Sequence, residues 1–155
     1  MVFKNNRLNS RMNFSQQQIE HHTLTLRQQL RDDLVWQWDD RLSVLLTEFA
    51  QNKSHDVITV LRDAFAHEWN KKNIKKAPQD LKHQLGDLTT LNKEQKIFTL
   101  PATSDSQPTM VAIWWPWGHG GTYSLRLMLL NDSYEFHLPS NSRANVFSFF
   151  KRLFS

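Results

Sequence analysis

The sequence predicts an α+β fold, in which N-terminal helices pack on an antiparallel three- to four-stranded meander sheet and a C-terminal amphipathic helix closes the chain. Three observations predict it. Apolar residues recur every three or four positions through about residue 92, and every second position from Lys96 onward. The helical and pleated segments are therefore segregated along the chain, the order expected of α+β and not of alternating βαβ units. Turn residues stand between the segments, with Gly86, Pro101 to Pro108, Gly118 to Gly121 and Asn131-Asp132 as the clearest.

Residues 1–14 are polar and basic and read as a flexible lead-in, within which Met12 is an alternative start. From Ser15, the residues Ile19, Leu26, Leu30 and Leu34 lead into Val35, Trp38, Leu42, Leu45 and Phe49 at helical spacing. This predicts two helices, or one bent one, as far as Gln51. Asp32 and Asp33 suit the start of the second helix, where orphan amides favour carboxylates. Asn52 and Lys53 break the pattern. Ser54 is then the expected N-cap of a helix on which Val57 or Ile58, Leu61, Phe65 and Trp69 share a face, with Lys71 and Lys72 at its C-terminal end. Pro78 is placed to open a short helix ending near Leu85, and Gly86 suits the position after it.

Beyond Lys96, Ile97 and Thr99 mark a short strand, and residues 101–108 read as an exposed loop. Thr109 to Trp115 is apolar on both alternating faces, as in a covered strand. Thr122 to Leu130 places Tyr123, Leu125, Leu127 and Leu129 against Ser124, Arg126 and Met128. Asn131-Asp132 is a tight-turn signal, after which Tyr134, Phe136 and Leu138 complete a hairpin. The last segment, with Val146, Phe149, Phe150 and Leu153 beside Arg143, Lys151 and Arg152, reads as a helix docked on the sheet, with recruitment to a membrane or partner as the alternative. Residues 15–155 thus make a single domain, with a helical part over 15–92 and the sheet and closing helix over 95–155. A chain of this size buries about 68–70% of its unfolded surface, enough for a core without cross-links.

The absence of cysteine excludes disulfides, thiolate metal sites and thiol nucleophiles. The N-terminus has no apolar h-region, and no apolar run approaches the ~20 residues of a membrane-spanning helix, so a cytoplasmic location is expected. The net charge of +4 is segregated: residues 1–31 carry +4, 32–69 carry −5, 70–100 carry +4 and 101–155 carry +1. The acidic block, with eight carboxylates against three cations, argues against a continuous phosphate-tracking surface.

The densest chemistry is Ile113-Trp114-Trp115-Pro116-Trp117-Gly118-His119-Gly120-Gly121, which holds three indoles, one imidazole and three of the four glycines. Pro116 must interrupt the strand, and the glycines permit positive φ and close backbone approach. Trp115, Trp117, Gly118, His119, Gly120 and Gly121 are therefore the candidate surface for a protein partner, tryptophan being enriched at binding hot spots. The opposing reading is a hairpin whose tryptophans belong to the core. Lys71, Lys72, Lys75, Lys76 and Lys82, with Trp69 beside them as a stacking platform, form the alternative, a site for nucleic acid or another polyanion. A third reading makes His119 the general acid or base of a small enzyme.

Other chemistry lacks its signatures. The seven histidines include no HExxH, and adjacent His21 and His22 diverge around a helix, so no metal is expected. Asp32-Asp33 and Asp39-Asp40 point about 100° apart as helical neighbours, which makes poor proton-sharing dyads. No GxSxG elbow, Walker loop or dinucleotide fingerprint is present, and no cofactor is expected. Self-association into a homo-oligomer is compatible with the composition.

Overall fold

In the computed structural model, which describes residues 14–104, 107–131 and 136, the chain starts with helices α1 (Gln16–His22) and α2 (Leu24–Gln29). A reciprocal capping box begins α1. The Ser15 hydroxyl accepts from the Gln18 N–H at 3.3 Å, and the Gln18 side chain accepts from the Ser15 N–H at 2.9 Å. Thr23 joins the two helices, its hydroxyl donating to the Ile19 carbonyl at 2.6 Å. Ile19, Leu26, Leu30 and Leu34 are buried as the helical spacing requires. Ser15→Ala removes one arm of the box and is expected to cost about 1 kcal/mol, read from the midpoint of urea unfolding.

Trp36–Asp39 and Val44–Ala50 are strands β1 and β2, which corrects the second helix expected from the spacing of Val35, Trp38, Leu42, Leu45 and Phe49. Burial explains the difference. Val44 packs into one core, and Leu45 and Phe49 into the other. A strand covered on both sides shows no clean alternation, and its apolar residues fall into an apparent helical period. The hairpin turns over 40–43, where Ser43 takes a φ of 54° and the Asp39 carboxylate accepts from the Arg41 N–H at 3.0 Å.

A short 3₁₀ turn leads into α3 (Ser54–Ala64). Ser54 is the first helical residue and not the expected N-cap; its hydroxyl donates to the Gln51 carbonyl at 2.7 Å. Val57 and Leu61 face inward, and the helix stops where Phe65 turns extended. Trp69 is consequently not on that helix. It belongs to strand β3 (His67–Trp69). Helix α4 (Gln79–Leu85) follows Pro78 and is ended by Gly86 at a φ of 53°. Strands β4 (Lys96–Leu100), β5 (Thr109–Pro116) and β6 (Thr122–Leu130) come last.

All neighbouring strands run antiparallel in the order β1-β2-β6-β5-β4-β3. This α+β fold is therefore built on a six-stranded sheet, not on the expected sheet of three or four strands. β2 lies along residues 122–127 of β6, with Leu45 opposite Leu127 and Phe49 opposite Tyr123; the strand expected over Tyr134 to Leu138 lies outside the described residues except for Phe136. Phe136 is instead buried, its N–H donating to the Gln84 carbonyl at 3.0 Å and its carbonyl accepting from the Asp87 N–H at 3.2 Å. The C-terminal helix expected over 143–155 falls outside the described residues, and among the described residues no helix follows β6.

Both sheet faces are covered. On the first, α1, α2 and α3 enclose Leu45, Phe49, Phe98, Trp114, Leu125, Leu127 and Leu129. On the second, α4 and Phe136 enclose Val44, Ile97, Val111, Ile113, Trp115 and Met128. An antiparallel sheet open on one side would have left Leu125, Leu127 and Trp114, or their counterparts, as an apolar patch in water. Among the described residues, no helix is long and apolar enough to cross a membrane.

Candidate functional site

The aromatic and glycine-rich segment is the end of β5 and its turn into β6. Pro116 is the last strand residue, and the turn closes with the Trp117 N–H donating to the Thr122 carbonyl at 2.8 Å and the Gly120 N–H to the Trp117 carbonyl at 2.9 Å. Gly120 has a φ of 76°, a left-handed conformation that a Cβ would strain. The Gly121 carbonyl accepts from the Gln51 N–H at 3.0 Å, which ties the turn to the residue following β2.

The pleat divides the indoles. Trp114 packs into the first core and Trp115, only 2% exposed, into the second. Of the residues proposed as a contact surface, Trp115 therefore lies inside the fold. Trp117 is half-buried against the same second core, while Gly118, His119, Gly120 and Gly121 are exposed. The His119 Nδ1 accepts from the Gly121 N–H at 3.0 Å, and its ring lies edge-on to the Trp117 indole, with centroids 5.6 Å apart and planes at 72°. The fit at 121 is close: a Cβ there would stand 3.1 Å from Nδ1 and 3.3 Å from Cε1, so the imidazole would have to shift by a few tenths of an ångström. With Nδ1 used as an acceptor, the neutral imidazole carries its proton on Nε2, so the exposed ring presents a donor.

The lysine segment is arranged differently from a polyanion groove with an aromatic platform. Lys71, Lys72, Lys75 and Lys76 are exposed around two successive turns. The half-buried Lys82 ammonium donates to the Lys75 carbonyl at 3.0 Å and fastens α4 to that turn. Trp69 faces inward, its indole N–H donating to the Thr99 hydroxyl at 2.9 Å and its ring packing on the second core.

Sequence reasoning missed a buried cation. Arg126, 1% exposed, stands in the middle of β6 between Leu46 and Ile113. One of its guanidinium nitrogens donates to the Ser124 hydroxyl at 2.9 Å, and that hydroxyl donates to the Trp115 carbonyl at 3.2 Å. Burial pulls its pKa down to about 10, against the opposing pull of the Asp39 and Glu48 carboxylates, so it remains a cation at neutral pH. Asp39 is likewise inside, with Oδ1 held by the Arg41 backbone and side chain and Oδ2 buried without a hydrogen bond. Its neighbour Asp40 is exposed. The end of β1 thus turns Asp39 inward and leaves Asp40 outside, where the helical reading set the two about 100° apart.

Sequence reasoning also missed a cavity of about 360 Å³ on the opposite face of the same sheet end, beneath the start of α3. Its walls come from segments far apart in the chain, so no local motif announces it. Among the described residues, no three histidine, aspartate or glutamate side chains come together as a metal site. No family model matches the chain, and no curated protein or solved structure is detectably similar to it.

Proposed function

We propose that this protein is a non-enzymatic recognition module that binds a protein partner through the tip of the β5–β6 hairpin, formed by Trp117, Gly118, His119, Gly120 and Gly121. The observation that carries the reading is the fixed His119–Trp117 pair on a turn hydrogen-bonded to its own strands and to Gln51. An exposed donor and an apolar ring edge are ordered before any partner arrives, which lowers the entropy lost on association. Trp115 supports this tip from within the core and makes no contact itself. A main-chain carbonyl or a carboxylate of the partner is the natural acceptor for the imidazole N–H.

The test compares the intact protein with Trp117→Ala/His119→Ala and with His119→Ala alone as immobilised baits for an extract of the source cell. A protein retained by the intact bait is then purified and its affinity measured against all three. Its binding is expected to weaken by about 2 kcal/mol in the double variant, roughly 30-fold, and measurably in His119→Ala, whose exposed side chain leaves the melting temperature unchanged. Equal affinity for all three baits contradicts the proposal.

A further inference from the structure

We propose that this chain forms a two-fold symmetric dimer in which β1 of one copy pairs with β1 of a second, so that the two sheets join edge to edge. The surface is separate from the hairpin tip, and the inference stands independently of that reading. β1 ends the sheet on one side, and among the described residues no main-chain group outside β2 hydrogen-bonds to the main chain of residues 36–39. A free strand edge is a template for another strand, and folds that stay monomeric blunt it with charge, proline, a bulge or short length. The β3 edge is blunted in this way. It is three residues long, and its central Glu68 holds Arg62 at 2.8 Å and Lys96 at 3.6 Å. The β1 edge is not. Leu34-Val35-Trp36-Gln37-Trp38 carries no charge and no proline, and no bulge interrupts the register with β2. Val35, at the start of this edge, is 70% exposed, more than any other large hydrophobic side chain among the described residues.

The strand is complementary to itself. Trp36 and Trp38 flank Gln37, so an antiparallel pairing centred on Gln37 sets Trp36 opposite Trp38 of the second copy, twice, and Gln37 opposite its own counterpart, as a two-fold interface requires. Both tryptophans are half-buried against the first core, on the side of Leu45 and Thr47, and Gln37 is exposed on the other side. Pairing therefore carries the first core from one copy into the other through two cross-strand indole pairs, the kind of contact that stabilises neighbouring strands. The two Gln37 amides, each both donor and acceptor, meet on the opposite face. Asp39, the one charged residue of the strand, is turned inward beside Arg41 and falls opposite Val35 of the second copy, so no like charges face each other across the axis.

The experiment is sedimentation velocity on the full chain from about 1 to about 500 µM, the range in which a small interface associates. The weight-average mass is expected to rise from that of one chain to that of two and to stop there, because the pairing uses the same edge of both copies and closes on itself. Gln37→Lys sets two ammonium groups opposite each other at the axis and is expected to weaken dimerisation about tenfold or more, and Gln37→Glu likewise. An equimolar mixture of the two variants is expected to associate more tightly than either variant alone, because the opposed charges now attract. The side chain is exposed, so at a concentration where the intact chain is monomeric both variants keep its melting temperature. Trp117→Ala/His119→Ala is expected to dimerise as the intact protein does, which separates this surface from the hairpin tip. A chain monomeric at the highest concentration, which would leave β1 to a partner of another kind, undiminished association of Gln37→Lys, or a mixture no tighter than its components overturns the proposal.

Discussion

Trp115→Ala is expected to destabilise the protein by about 4 kcal/mol and to lower its melting temperature by roughly 10 °C. The indole is 2% exposed and packs with Ile97, Val111 and Ile113 on the second face of the sheet. Truncation leaves a void that the flanking strands cannot close, because β4 and β6 hold β5 in register on both sides. His119→Ala, two turn residues beyond Trp117, is expected to leave the melting temperature where it was. Calorimetry of the two variants therefore separates the halves of one short segment, the first serving the fold and the second exposed at its rim. Equal losses in the two would mean that the turn is as integral to the core as the strand.

Arg126→Ala is expected to cost about 3 kcal/mol, and Arg126→Met to recover only the part of that loss that comes from the cavity. The guanidinium sits among Leu46, Ile113 and Ser124 in the centre of the sheet, where its desolvation is offset by hydrogen bonding and by the field of Asp39 and Glu48. Alanine removes the charge that faces the buried Asp39 carboxylate and also leaves a cavity. Methionine fills the cavity, but like alanine it leaves the buried Asp39 carboxylate without the opposing charge. Urea unfolding of both variants checks the prediction. A methionine variant as unstable as the alanine variant would show that charge, and not volume, is what the position supplies.

Different parts of this architecture were legible to different degrees for physical reasons. The first two helices and α3 declare themselves, because each has one wet face and one dry face, and Ile19, Leu26, Leu30, Val57 and Leu61 repeat accordingly. Strands β5 and β6 are recognisable from their apolar density and from the turn between them. β1 and β2 are not recognisable in this way. Cores on both sides of the sheet claim Val44, Leu45 and Phe49 alike, and Val35, Trp38 and Leu42 fall three and four apart, a spacing that a helix also gives. With those two strands hidden, β2 is not foreseen as the neighbour of β6, and Arg126 is assigned only to the side it shares with Ser124 and Met128.

The candidate site follows the same logic. The turn was visible because Pro116 and three glycines break the strand locally. The burial of Trp115 beside the half-buried Trp117 depends on what lies over each strand face, which no local pattern records. The cavity was invisible, since His55, Lys93, Trp114 and Tyr123 come from four separate segments that only the β4–β5–β6 register and the packing of α3 bring together.

The central claim is that the aromatic turn is divided, with Trp114 and Trp115 enclosed and Trp117 reaching the surface beside His119. Fluorine NMR of the full chain labelled with 5-fluorotryptophan, assigned through single Trp→Phe variants and recorded with a soluble nitroxide, tests this directly. The Trp117 resonance is expected to be strongly attenuated while those of Trp114 and Trp115 persist. A Trp117 signal as protected as that of Trp115, or a Trp115 signal quenched with it, would contradict the account.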